Sequence, residues 1–109
     1  MTKDIVSKLA ATIRGRRHSD SDASYTKQLL TAGPERCARK FGEEAVELLI
    51  ASLGTDPKAL ASEAADVVFH LLVLLEARGV RWSDVAQILE QRTSQSGLAE
   101  KAARAMPED

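Results

Sequence analysis

Hydrophobic and polar positions alternate along this chain with the period of a helix and nowhere with the two-residue period of a strand. In the first segment, roughly Lys3 to Arg14, Ile5, Val6, Leu9 and Ile13 form one stripe, with Thr2 as a candidate N-cap. A polar run, "GRRHSDSDAS", follows and reads as a loop. "SYTKQLLTA" predicts a short helix that Gly33 ends before Pro34. A long helix is predicted from Pro34, a favoured first-turn residue, to Gly54, a favoured residue just past a helix. The segment "TDP" restarts the chain, with Thr55 or Asp56 as cap and Pro57 in the first turn. The helix it opens runs through Arg78 and is stopped by Gly79. Ser83 is the expected cap of a last helix over "DVAQILEQR", and the tail "SGLAEKAARAMPED" is either helical or an arm.

The expected fold is therefore all-α, a bundle of four to five helices in one domain over residues 1–109. Two long helices joined by so short a turn should lie antiparallel, as a central hairpin. The second of them is apolar nearly all round, from Ala64 and Ala65 through Val67, Val68, Phe69 and on to Leu75. Such a helix must be covered on several sides. A chain this short can hardly do so alone, so dimerisation is expected to complete the bundle and the partner to be a second copy, a homodimer.

Charge and composition narrow the function classes. Fifteen basic and sixteen acidic residues leave a formal net charge of -1, without the basic surplus of a nucleic-acid binder. The N-terminus has no apolar core of the secretory kind, and the most apolar stretch, Ala64 to Leu75, is interrupted by Asp66 and His70 and too short to span a bilayer. The single cysteine, Cys37, excludes an intrachain disulfide and reads as a small buried residue rather than a nucleophile. The expectation is a cytoplasmic protein that engages neither nucleic acid nor membrane.

Against that background the anomaly is a set of carboxylates inside hydrophobic helices. "KFGEEAVELL" carries Lys40, Glu43, Glu44 and Glu47, and "SEAADVVFH" carries Glu63, Asp66 and His70. At about 100° per residue, Lys40, Glu44 and Glu47 share a stripe with Glu43 at its edge, and Glu63, Asp66 and His70 share another. In an antiparallel hairpin, facing residues lie symmetrically about the turn. Glu47 with Glu63, Glu44 with Asp66 and Lys40 with His70 are all symmetric about position 55. That position lies inside the turn that the capping residues mark independently, so two unrelated signals give one register.

One acidic stripe alone is most often a solvated helix face. Two in register, on helices apolar elsewhere, gather like charges that repel unless a cation lies between them. Oxygen donors of this kind suit Mg²⁺, with Mn²⁺ as a substitute, and not Zn²⁺, which favours His and Cys. A di-iron carboxylate site would need Glu three residues before His, and neither His18 nor His70 has it. Mg²⁺ on side-chain carboxylates keeps coordination positions for phosphate oxygens, which points to phosphoryl or pyrophosphoryl cleavage. Lys40, on the acidic stripe, is the best phosphate partner, with Lys27, Arg36, Lys101 and Arg104 as second choices. His70 either contacts substrate or is a hydrogen-bonded structural histidine, and Tyr25 either stacks on a base or packs its short helix. Trp82 reads as a core or interface anchor.

The spacing E-E-x-x-E followed by E-x-x-D, at Glu43-Glu44-x-x-Glu47 and Glu63-x-x-Asp66, resembles the MazG-like all-α nucleoside triphosphate pyrophosphatases. The segments "SYTKQLL", "KFGEEAVELLIA", "SEAADVVFHLLVLLEARGV" and "SGLAEKAAR" are more closely similar to the phosphoribosyl-ATP pyrophosphohydrolases of histidine biosynthesis. The resemblance covers about Ser24 to Arg104. It implies Mg²⁺-dependent conversion of phosphoribosyl-ATP to phosphoribosyl-AMP and pyrophosphate by a stand-alone form. By the motif, Glu44, Glu47, Glu63 and Asp66 would be the metal ligands, and Glu43 is the first candidate to orient or deprotonate water. Two other readings stay open on the residues: a housecleaning pyrophosphatase of ordinary or damaged (deoxy)nucleoside triphosphates, and a non-enzymatic dimeric helical interaction module.

Overall fold

A computed structural model describes residues 4–19 and 24–94. All regular structure among them is helical: α1 (Ile5–Arg17), α2 (Tyr25–Ala32), α3 (Pro34–Ser52), α4 (Pro57–Ala77) and α5 (Trp82–Thr93). The last tail segment and the substrate-binding candidates Lys101 and Arg104 lie outside the described residues, as does Thr2.

Local chemistry accounts for most helix ends. The Ser24 hydroxyl accepts from Lys27 N and opens α2, and the Asp56 carboxylate accepts from Lys58 N at 3.0 Å ahead of Pro57. Gly33, at φ 102°, ends α2 by donating to Leu29 and Leu30 carbonyls, and Pro34 starts α3 immediately. Three ends differ from the sequence expectation. α1 starts at Ile5, with Asp4 accepting from Ser7 N at 2.7 Å, and continues through Gly15 to Arg17. Its last turn is held from a distance: Arg17 Nε donates to Glu76 Oε2 at 3.0 Å and its Nη2 to the Glu76 carbonyl at 2.8 Å. That contact keeps helical a stretch that reads locally as the start of a loop. α5 starts one residue before Ser83, because the Asp84 carboxylate accepts from Arg81 N at 3.1 Å and so fixes Arg81 as the cap.

The two longest helices, α3 and α4, make the most extensive pairing and run as a hairpin; α1 and α2 pack across it, and α5 touches α1. The core is built where they converge, from Ile13, Leu29, Leu30, Cys37, Leu72 and Val73. Val6, Leu9, Phe69, Leu75 and Trp82 pack around it. Cys37 is buried there with its thiol donating to the Leu29 carbonyl at 3.2 Å, and burial pushes that thiol upward in pKa, the state of an inert cysteine.

The cover on the hairpin is uneven. Its outer half keeps an apolar stripe in the open: Val46, Leu49 and Ile50 of α3 and its C-cap Leu53 are 56–80% exposed, at i, i+3, i+4 and i+7, and Leu60 of α4 stands exposed across the turn. No helix of the described residues is long and apolar enough to cross a membrane.

Truncating Leu72 to Ala should lower the free energy of unfolding by about 2–5 kcal/mol, whereas Ile5→Ala, at a site 76% exposed, should stay within about 0.5 kcal/mol. Urea denaturation measures both; similar losses from the two would contradict the core described here.

Candidate active site

The hairpin places the acids. α3 carries Lys40, Glu43, Glu44 and Glu47, α4 carries Glu63, Asp66 and His70, and the apolar residues between them set the depth at which each stands. Glu44, Glu63 and Asp66 each offer an oxygen, and these three atoms lie within 4.8 Å of one another. Glu44 is mostly covered, its side chain 12% exposed, and Asp66 opens to solvent.

Glu63 carries the signature of an incomplete site. Its Oε1 is buried without a hydrogen-bond partner among the described residues. Buried carboxylate oxygens are ordinarily satisfied, because an orphaned one bears its full desolvation penalty. Burial, and then the charges of Glu47, Asp66 and Glu44, push the Glu63 carboxyl above the usual glutamate range. Glu47 is thus near enough to act on Glu63, but the three-membered oxygen cluster does not include it.

Cations and rings border the acids on the side away from the hairpin turn. Lys40 Nζ lies 3.3 Å from Glu43 and 3.8 Å from Glu44. The bond to Glu43, and then the nearby Tyr25 phenol, raise Lys40 above the ordinary lysine range. His70 is buried, 6% exposed, with Nδ1 lacking a partner among the described residues. Desolvation lowers its pKa first, Glu44 opposes that, and Lys40 adds to it. The imidazole therefore favours its neutral form.

His70 also belongs to a group of three rings. Tyr25 and Phe69 lie nearly parallel, 6.4 Å apart at 19°, and His70 stands edge-on to both, at 6.0 Å from Tyr25 and 5.1 Å from Phe69. Phe69 counts in the sequence only as one more apolar residue of α4. What links it to Tyr25 is the crossing of α2 over α4, and no local pattern encodes that crossing.

Two further substrate-binding candidates, Lys27 and Arg36, lie within the described residues. Lys27 Nζ donates to the Ser19 carbonyl at 2.6 Å, tying α2 to the segment after α1. Arg36 is exposed one turn before Lys40. Glu43 is exposed and occupied by Lys40, outside the three-oxygen cluster.

A donor set of carboxylates alone, one with a buried orphan oxygen, fits a hard divalent cation. In the metal-free protein, Glu63→Gln should leave the melting temperature unchanged or higher, since it removes a repelled charge. The rise in melting temperature on adding Mg²⁺ should disappear in the same variant. A variant that melts lower without metal would identify Glu63 as a structural residue instead.

Comparison with known proteins points to one family. The model of a family described as phosphoribosyl-ATP pyrophosphohydrolase matches residues 6–93. Phosphoribosyl-ATP pyrophosphatase 1 of Rhodopseudomonas palustris is 58% identical over 96 residues, 88% of this chain and 90% of that protein. A phosphoribosyl-ATP pyrophosphatase of Cereibacter sphaeroides is 53% identical over 100 residues, covering 92% of this chain and 97% of the relative. One of Nitrobacter hamburgensis is 54% identical over 104 residues, 95% of this chain and 97% of its own length.

Proposed function

The chain belongs to the phosphoribosyl-ATP pyrophosphohydrolase family, and we propose that it carries out that family's hydrolysis at the acidic cluster between α3 and α4. The reaction is phosphoribosyl-ATP plus water giving phosphoribosyl-AMP and pyrophosphate, a step of histidine biosynthesis. The observation that carries the placement is the convergence of three carboxylate oxygens within 4.8 Å, one of them from a residue with a buried unpartnered oxygen.

Glu44, Glu63 and Asp66 would hold Mg²⁺, or Mn²⁺ in its place, and Glu47 completes the acidic set from its position beside Glu63. Bound there, the ion supplies positive charge to the phosphate oxygens and makes water more acidic. Lys40 serves the same electrostatic end from the protein. Its ammonium lies 3.3 Å from Glu43 and 3.8 Å from Glu44, at the edge of the acidic cluster where phosphate would bind. Glu43, exposed beside the cluster and paired with Lys40 at 3.3 Å, is the candidate to orient or take a proton from the attacking water. His70 is a further candidate for a substrate contact, while Arg36, Lys27 and the C-terminal Lys101 and Arg104 are further candidate sources of positive charge for the polyphosphate.

The exposed stripe Val46, Leu49, Ile50 and Leu53, with Leu60, supports a homodimer. A continuous apolar helix stripe is expensive to leave in water, and a second copy of the same stripe covers it by a two-fold arrangement. On this reading the protein works in the cytoplasm.

Three outcomes test the reading. Pyrophosphate should be released from phosphoribosyl-ATP far faster than from deoxynucleoside triphosphates; the reverse order would move the chain to the housecleaning pyrophosphatases. Glu44→Gln and Glu47→Gln should each lower kcat by about a hundredfold or more with helical content intact. Ile50→Glu should convert a dimer to monomer in sedimentation velocity; a wild-type monomer at micromolar concentration would discard the dimer.

A further inference from the structure

Tyr25 occupies the first position of α2 and is 49% exposed, although its ring belongs to a packed cluster. Phe69 lies nearly parallel to it in an offset arrangement, centroids 6.4 Å apart, and His70 stands edge-on to it at 6.0 Å. Packing the short helix accounts for the covered half of the residue and leaves the exposed half unexplained. A planar ring fixed by aromatic neighbours and half open to solvent has the form of a stacking platform.

Its location ties it to the site. Phe69 and His70 follow Asp66 by three and four residues, about one helical turn or roughly 5 Å along α4. His70, edge-on to Tyr25 at 6.0 Å, lies on the same helix as Asp66, and Lys40 is 3.8 Å from Glu44 of the acidic cluster. Acids, cation and ring thus follow one another along one side of the hairpin. A nucleotide whose phosphates take the acidic end and Lys40 has its base displaced in the direction of the ring.

We propose that the exposed part of the Tyr25 ring stacks on the purine of the substrate and so determines where the base lies. The inference rests on the reading of the acidic cluster as the phosphate end of the site. Tyr25 acts on the part of the substrate remote from the bond that breaks. Its contribution falls equally on bound substrate and transition state, and its loss appears in KM and not in kcat.

Steady-state kinetics on the full chain with phosphoribosyl-ATP and Mg²⁺ test this. Tyr25→Leu should raise KM by roughly tenfold or more with kcat changed less than about threefold, and Tyr25→Phe, which keeps the ring, should restore KM. A merely structural role would lower the melting temperature and kcat together and would not separate Phe from Leu. A second measurement does not depend on the Leu variant folding. In a Trp82→Phe protein carrying Tyr25→Trp, indole emission should be quenched on adding the α,β-methylene analogue of phosphoribosyl-ATP. An unchanged KM in Tyr25→Leu, or an emission blind to the analogue, overturns the stacking proposal. A wild-type enzyme that releases no pyrophosphate from phosphoribosyl-ATP would instead overturn the functional reading beneath it.

Discussion

The packing of α3 against α4 forces like charges together, and the rest of the site follows from that constraint. Carboxylates do not converge on their own account. Glu44, Glu63 and Asp66 are brought within 4.8 Å by the pairing of α3 with α4, which the core beyond them anchors. The hydrophobic burial of the hairpin opposes the repulsion between the acids. The unpartnered Glu63 oxygen and the upward-pushed Glu63 carboxyl are the visible residue of that opposition. A divalent cation converts the liability into an attraction, and it brings phosphate with it. Structural strain of this type is expected where a protein works on a ligand and not where it merely folds.

The same packing divides the hairpin into two halves with different duties. Its inner half is covered by α1 and α2, which place the buried His70 and the Tyr25–Phe69 pair one turn from the acids. Its outer half keeps an apolar stripe exposed, available for a second copy. Lys40 stands at the junction, bonded to Glu43 and Glu44 and within the field of Tyr25, so the cation, the acids and the ring respond to one another.

Much of this was legible in the sequence, for identifiable reasons. The caps at Ser24 and Asp56 and the Gly33–Pro34 junction act within a few residues, so local chemistry reveals them. The hairpin register was legible because the turn and the two acidic stripes share one centre. α1 was not fully legible: its last turn is held by Glu76, 59 residues from Arg17. Arg81 displaced Ser83 as the α5 cap because Asp84 reaches back to its N–H, a choice that Ser83 hides. Within the site, symmetry about the turn positions Cα atoms and not carboxylate oxygens. Three flexible torsions separate the two in glutamate, which is why Glu47 stands beside Glu63 without joining the three-oxygen cluster. The Tyr25–Phe69–His70 group depends on the crossing of α2 over α4, information that no window of sequence contains.

The most direct test of the central constraint is anomalous diffraction from crystals of the chain soaked in Mn²⁺. The account predicts a peak between α3 and α4 within coordination distance of Glu44, Glu63 and Asp66, with the Glu63 oxygen that lacked a partner now bonded to the ion. Density showing these three side chains turned apart, with no anomalous signal between them at saturating Mn²⁺, would contradict it.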